Sequence, residues 1–158
     1  MVFNNVEDFS SEFLIDQQYL HATRPRDREE FRADGFFITG DQAVMDETGR
    51  VSIVGREKDM VISGGYNVYP KEVEVLIDQM PEVTESAVIG VPNPDFGEGV
   101  VAVVVPAADA TVDEAALIAF CRERLAGFET PKRVVTMDAL PTTVGSKVLK
   151  YRLREMLK

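Results

Sequence analysis

Apolar residues recur in two rhythms along this chain: alternating or continuous β-branched runs that mark strands, and residues three and four apart that mark helices. Gln42 to Met45 and Arg50 to Val54 are short alternating runs. Asp46-Glu47-Thr48-Gly49 joins them, a turn composition that predicts a β-hairpin ending at Gly55-Arg56. Met60 to Ser63 predicts a short strand, broken by Gly64-Gly65 where the backbone must turn or approach something closely. Pro70 suits a first helical position, because its missing N–H would have no partner there, and Val73, Leu76, Ile77 and Met80 then share one face up to Pro81.

Ser86 to Val91 and Val100 to Val105 predict sheet-core strands, separated by the turn formers from Pro92 to Gly97. Thr111 and Glu114 have the spacing of a capping box, which would open a helix with Leu117, Ile118, Cys121 and Leu125 turned inward. Arg133 to Met137 is a further strand. Val148, Leu149, Leu153, Met156 and Leu157 space out a closing amphipathic helix. From about Lys58 the predicted order is β-α-β-β-α-β-α, so the fold class is α+β: a small β-hairpin element, then a compact domain with helices packed on a small mixed sheet. Residues 1–30 have no clear period and predict no element.

A chain of 158 residues with 45% hydrophobic content can bury a real core. It has no apolar run of membrane-spanning length, and acidic residues stand in the amino-terminal stretch where a secretory leader would be basic and then apolar. A cytoplasmic protein with no membrane partner is the expectation. The net charge of −10 argues against nucleic acid, since neutralising phosphates takes a surplus of Lys and Arg on one face. One cysteine, Cys121, rules out a disulfide framework or a cysteine-based zinc site within one chain, and one histidine, His21, gives a His-based metal site or a Ser-His-Asp triad little to work with, so no metal site is expected. Cys121 is expected in the core, and His21 in a structural or surface role.

Four segments in order resemble signature motifs of the acyl-CoA synthetases of the adenylate-forming superfamily. The first is Asp34-Gly35-Phe36-Phe37-Ile38-Thr39-Gly40-Asp41; the second runs from Gly55-Arg56-Glu57-Lys58-Asp59 through Gly64-Gly65 to Glu74. The third spans Ala87 to Glu98, with wording like that of malonyl-CoA synthetases, and the fourth is Leu140 to Lys150. The resemblance implies roles residue by residue. Asp41 would accept hydrogen bonds from a ribose, as a carboxylate can from two neighbouring hydroxyls, and Arg56 would lie by the nucleotide. Lys58 would be the pivot of a swinging lid. Gly64 and Gly65 would line the tunnel for the pantetheine arm of coenzyme A, and Lys147 would be the catalytic lysine between the substrate carboxylate and the α-phosphate. The wording Asn67-Val68-Tyr69-Pro70 is similar to that of stand-alone acyl-CoA synthetases, which favours coenzyme A over a carrier protein. Asp95 and Glu98 gain no acid-base role from the resemblance.

Taken alone, these residues stay open to plainer readings: Asp41 as a hairpin cap, the glycine pair as a turn, the stretch from Gly55 to Asp59 as a solvated charge run, and Lys147 with Lys150 as the polar face of the last helix. One departure stands out. The family's wording has Gly directly before the lysine, whereas here Gly145-Ser146 precedes Lys147.

The resemblance also implies what is missing. A large amino-terminal lobe with a phosphate-binding loop and an acid pocket would be the partner, in the same or a separate chain. Residues 31–57 would be the tail of that lobe and 58–158 the lid domain. ATP or AMP, Mg²⁺ and coenzyme A, with a carboxylic acid substrate, belong to the complete enzyme, and none is expected to bind this chain tightly by itself. The competing class is a non-catalytic module that docks on another protein, with a homodimer through the exposed hairpin as one form.

Overall fold

The computed structural model describes residues 40–158. The aperiodic stretch 1–30, His21 and the first motif up to Thr39 lie outside the described residues. The chain divides after Lys58 into two compact units.

In the smaller unit, β1 (Asp41–Met45) and β2 (Val51–Arg56) pair antiparallel, with Asp41 opposite Arg56. Their connection is set by Asp46, whose Oδ1 accepts from the Thr48 amide (2.9 Å), the Thr48 hydroxyl (2.6 Å) and the Arg50 amide (3.0 Å). The Thr48 hydroxyl and then the Arg50 amide hold the Asp46 carboxyl below its ordinary value. Gly49 supplies the positive φ of +83° that lets the chain return. A single 3-10 turn, Glu57–Asp59, follows β2.

The larger unit, Asp59 to Lys158, is built on a five-stranded mixed sheet. Its strands are β3 (Val61–Ser63), β4 (Tyr66–Val68), β5 (Val83–Asn93), β6 (Gly97–Pro106) and β7 (Arg133–Thr136). The order is β4-β3-β6-β5, with β7 alongside β6 as the parallel member. The helices are α1 (Pro70–Ile77), α2 (Glu114–Arg122) and α3 (Lys150–Leu157).

The continuous apolar runs of β5 and β6 follow from burial on both faces. Val88, Val100, Ala102 and Val104 pack on one side with Val73 and Ile77 of α1 and Leu117 and Cys121 of α2. Ala87, Ile89, Val101 and Val103 pack on the other with Leu153 of α3 and with Leu140, which precedes the loop that carries Lys147. Cys121 is fully buried, and desolvation raises its thiol pKa against a smaller opposing effect of Arg124. It is a core residue.

The order of elements expected from the periodicity differs from the structure at four points. It omits β4, a three-residue strand too short to show a period. It ends α1 at Pro81, but the helix stops at Ile77 and leaves through i→i+3 bonds such as Met80 N to Ile77 O (3.0 Å); a proline at 81 restricts Met80 and does not set the end at Ile77. It names Thr111 as the cap of α2, yet the cap is Asp113, whose side chain accepts from the Ala116 amide at 3.1 Å. Glu114 does not reach back; it accepts the Val134 amide of β7 (2.8 Å). Finally, α3 begins at Lys150, so Val148 and Leu149 precede it, and Met156 is 58% exposed.

Candidate functional site

In the smaller unit, the hairpin register brings Asp41 and Arg56 together: Arg56 Nε lies 3.0 Å from Asp41 Oδ1, both side chains partly exposed. A carboxylate oriented by a guanidinium is a fixed acceptor. Lys58 is exposed in the 3-10 turn that follows.

In the larger unit, Gly64 (φ +60°) and Gly65 (φ +86°) are the two central residues of the β3–β4 hairpin, between paired Ser63 and Tyr66. A two-residue turn with both φ values positive is the setting that selects glycine, so the turn alone accounts for the pair. The glycines carry no bulk, and their surroundings are aromatic. The Gly64 amide donates to the Phe96 carbonyl (2.8 Å), and a Cβ on Gly64 would meet the Phe96 ring at 3.6 Å. Tyr66 stacks on Phe128 with ring centroids 4.6 Å apart, and Lys132 Nζ stands 5.2 Å from the Phe96 centroid. Tyr66 and Phe96 are 59% and 40% exposed, so these rings face outward beside a cation. The sequence reading does not single out these four residues; the available signal is aromatics set in turn-rich segments, where packing does not require them.

Lys147 sits at the base of a small closed loop. Thr142 pairs with Val148, the Thr143 amide donates to Lys147 O (2.9 Å), and the Ser146 amide returns to Thr143 O (2.9 Å). The Lys147 amide donates to Thr143 Oγ1 (3.2 Å), and the Leu149 amide to Pro141 O (2.7 Å). The loop requires a left-handed residue, and Ser146 occupies that position at φ +60°. Lys147 itself is exposed, and its ammonium has no ion pair among the described residues. A tied backbone thus presents an exposed cation.

Two further pairs flank this loop. Lys150 Nζ reaches Glu74 Oε1 at 2.6 Å, both side chains largely buried, and the same oxygen accepts the Val88 amide at 2.9 Å. Arg154 Nη2 contacts Asp59 Oδ1 (3.4 Å), one residue past Lys58. Glu98 is structural. Its Oε2 accepts the Ile62 amide (2.8 Å), and its carboxylate fills the space over Gly90, where a Cβ would come within 2.8 Å of it. Asp95 belongs to a turn, its amide bound to Asn93 Oδ1. No group of three or more His, Cys, Asp or Glu able to hold a metal occurs among the described residues, and no helix there is long and apolar enough to cross a membrane.

Comparison with known proteins now gives the arrangement its relatives. Residues 72–147 match the AMP-binding enzyme C-terminal domain. A feruloyl-CoA synthase of an Amycolatopsis species is 48% identical over 131 residues, which is 83% of this chain and 27% of that protein. ATP-bound MatB of Rhodopseudomonas palustris superimposes with a TM-score of 0.77 at 54% identity, over 85% of this chain and 27% of that one. The o-succinylbenzoate CoA synthetase of Bacillus subtilis, solved with its acyl-adenylate intermediate, gives 0.76 at 32% identity, over 84% and 27%. The chain therefore spans about a quarter of the length of the relatives it matches. With its sheet, its lysine loop and its glycine hairpin, this chain carries the C-terminal domain of the AMP-forming acyl-CoA synthetase family.

Proposed function

We propose that this chain is the mobile lid of an AMP-forming acyl-CoA synthetase, inactive without a large amino-terminal lobe in the same or a separate chain. In the complete enzyme a carboxylate oxygen bonds to the α-phosphorus of ATP as the α–β anhydride breaks, giving acyl-adenylate and pyrophosphate. The thiol sulfur of coenzyme A then bonds to the acyl carbon, the acyl–phosphate bond breaks, AMP leaves and the thiol proton passes to solvent. Lys147 serves the first step. Two anions must meet there, and a compact cation between them offsets a repulsion that is severe in a partly dry site.

The observation that carries this reading is Lys147 itself: an exposed ammonium without an ion pair among the described residues, on a loop whose backbone is tied at both ends. Asp41, fixed by Arg56, fits the ribose of the nucleotide. Lys58, exposed at the division between the units, fits the pivot. Gly64 and Gly65 fit the passage of the pantetheine arm. The outward rings of Tyr66 and Phe96 with Lys132 beside them suit the flat base and phosphates of a nucleotide, which supports coenzyme A as acceptor. Mg²⁺, when bound with ATP in the complete enzyme, would neutralise phosphate charge; no residue of this chain is assigned to hold it. Small acids of the malonate kind are the substrate class toward which the third segment leans. The supply of ATP and coenzyme A suits the cytoplasm.

A second reading, a non-catalytic docking module, draws on the exposure of Val51 (40%) and Ile53 (60%) on the hairpin. It expects a homodimer that buries this strip. The deciding assay is pyrophosphate release from ATP and Mg²⁺ with a panel of acids, using the chain alone and mixed with the large lobe of a malonyl-type synthetase. Activity in the mixture only is expected. In that mixture Lys147→Ala should lower acyl-adenylate formation by about 10²-fold or more, the scale of losing a preorganised charge stabiliser, while thioester formation from added acyl-adenylate is largely kept. Equal loss of both halves would sink the assignment, and silence of the parent mixture with a concentration-dependent dimer would favour the docking module.

A further inference from the structure

The start of α3 lacks the usual reasons for being where it is. Its cap, Leu149, offers no side-chain acceptor to the first free amides. The first helical residue is a lysine, at the end of the helix where the peptide dipoles repel a cation. A lysine ordinarily carries its ammonium out to water. Lys150 turns inward instead, its side chain 16% exposed, to meet Glu74 at 2.6 Å.

Glu74 has an equally unusual position, since its side chain is 9% exposed on the inward stripe of α1, with Pro70, Val73 and Ile77. Its Oε1 accepts the amide of Val88, on the strand that closes one end of the sheet, and the Lys150 ammonium as well. One carboxylate oxygen therefore joins α1, β5 and the first residue of α3. Lys147 lies three residues upstream of that junction, on the loop tied to it through the Val148–Thr142 pair and the Leu149 amide.

We propose that Glu74 and Lys150 are positioning residues for Lys147: their ion pair takes the place of a helix cap and fixes the root from which the lysine loop projects. The importance of this to catalysis rests on the reading of Lys147 given above, but the pin itself does not. If the pair is broken, α3 keeps Leu153 in the core, and the lysine loop loses its fixed root.

The test is amide hydrogen exchange on the chain itself, without any ligand, for the parent, Lys150→Met, Glu74→Gln and Lys150→Arg. Lys150→Met and Glu74→Gln should each speed exchange at Ser146, Lys147 and Leu149 by about tenfold or more, as expected of a local opening, with Val101 to Val104 of the central strand unchanged. Lys150→Arg, which keeps the cation, should stay within about twofold of the parent at the same amides. Unchanged loop exchange in both charge-removing variants would overturn the proposal. So would an equal rise in loop and central strand, which would make the pair general scaffolding. If Lys150→Met does not fold, Glu74→Gln, which retains an oxygen for the Val88 amide, decides by the same criteria. Because exchange is read without substrate, failure here leaves the lid reading standing, and failure of the half-reaction assay leaves the pin standing.

Discussion

Ser146 stands where the family's wording has glycine, and its backbone explains the preference. At φ +60° a side chain other than glycine sits in the left-handed region, at a cost of about 1 to 3 kcal/mol that the surrounding loop must hold. Serine is small, and the Ser146 and Lys147 amides, donating to the carbonyl and hydroxyl of Thr143, keep the turn closed around it. The departure noted in the sequence is thus accommodated here at the cost of backbone strain. Ser146→Gly should raise stability by up to about 1 kcal/mol, the strain relieved being partly offset by the freer unfolded chain. Ser146→Val, branched at Cβ, should cost about 1 kcal/mol or more. Urea midpoints of the three chains check both signs. A valine variant as stable as the parent would mean that the loop has a second conformation available.

At the scale of the elements, the legible parts are those with long periods. β5 and β6 announce themselves by continuous β-branched runs buried on both faces, α2 by apolar residues at helical spacing, and the hairpin of β1 and β2 by short alternating runs around a turn, although Val51 and Ile53 stay exposed. β4 is not legible, since three residues after a glycine turn carry no period and exist as a strand only by pairing with β3. Glu74 escapes notice for a different reason. The buried stripe of α1 runs Pro70, Val73, Glu74, Ile77, a regular helical spacing, but a reading that counts apolar residues alone passes over an acid on that face. Its partner lies far away in sequence, at Lys150, and only the tertiary fold brings the two charges together.

The cap of α2 tests how far local spacing is to be trusted. Thr111 and Glu114 satisfy the capping-box pattern, yet Asp113 makes the cap bond and Glu114 is drawn off to the Val134 amide of β7. A tertiary partner outcompetes a local one here because the β7 amide would otherwise be left without an acceptor as it enters the core. Asp113→Ala should therefore cost about 1 kcal/mol, the usual loss of a helix cap, and Thr111→Ala close to nothing. Thermal unfolding of the two variants separates them, and the opposite ranking would restore the capping box.

Across the whole molecule the balance of charge is acidic, at −10, so its stability should depend on where like charges are crowded. Glu72 marks such a place. Burial first, and then the negative charge of Glu129, raise its carboxyl above the ordinary value. The folded chain therefore holds a proton at Glu72 to higher pH than the unfolded chain does. The stability this confers is present below the unfolded value and is lost as pH rises through the folded one. Opposing it, Glu72 lies in the first turn of α1, where the helix dipole favours an anion by about 0.3 to 1 kcal/mol. If burial and the charge of Glu129, the two causes of the upward shift, exceed the dipole, the charged form of Glu72 is the disfavoured one in the folded chain. Glu72→Gln should then be more stable than the parent at pH 7, by only a few tenths of a kcal/mol, since the carboxyl is only partly desolvated and solvent screens its repulsion. The gain should vanish toward about pH 4, where the parent is protonated too. Comparing the two chains pairwise cancels the general relief of self-repulsion that acid brings to both. A Gln variant less stable at pH 7 would show the dipole to be the larger effect, and would mean that Glu129 is too well solvated beside Ala126, whose amide it accepts at 2.9 Å, to be felt by its neighbour.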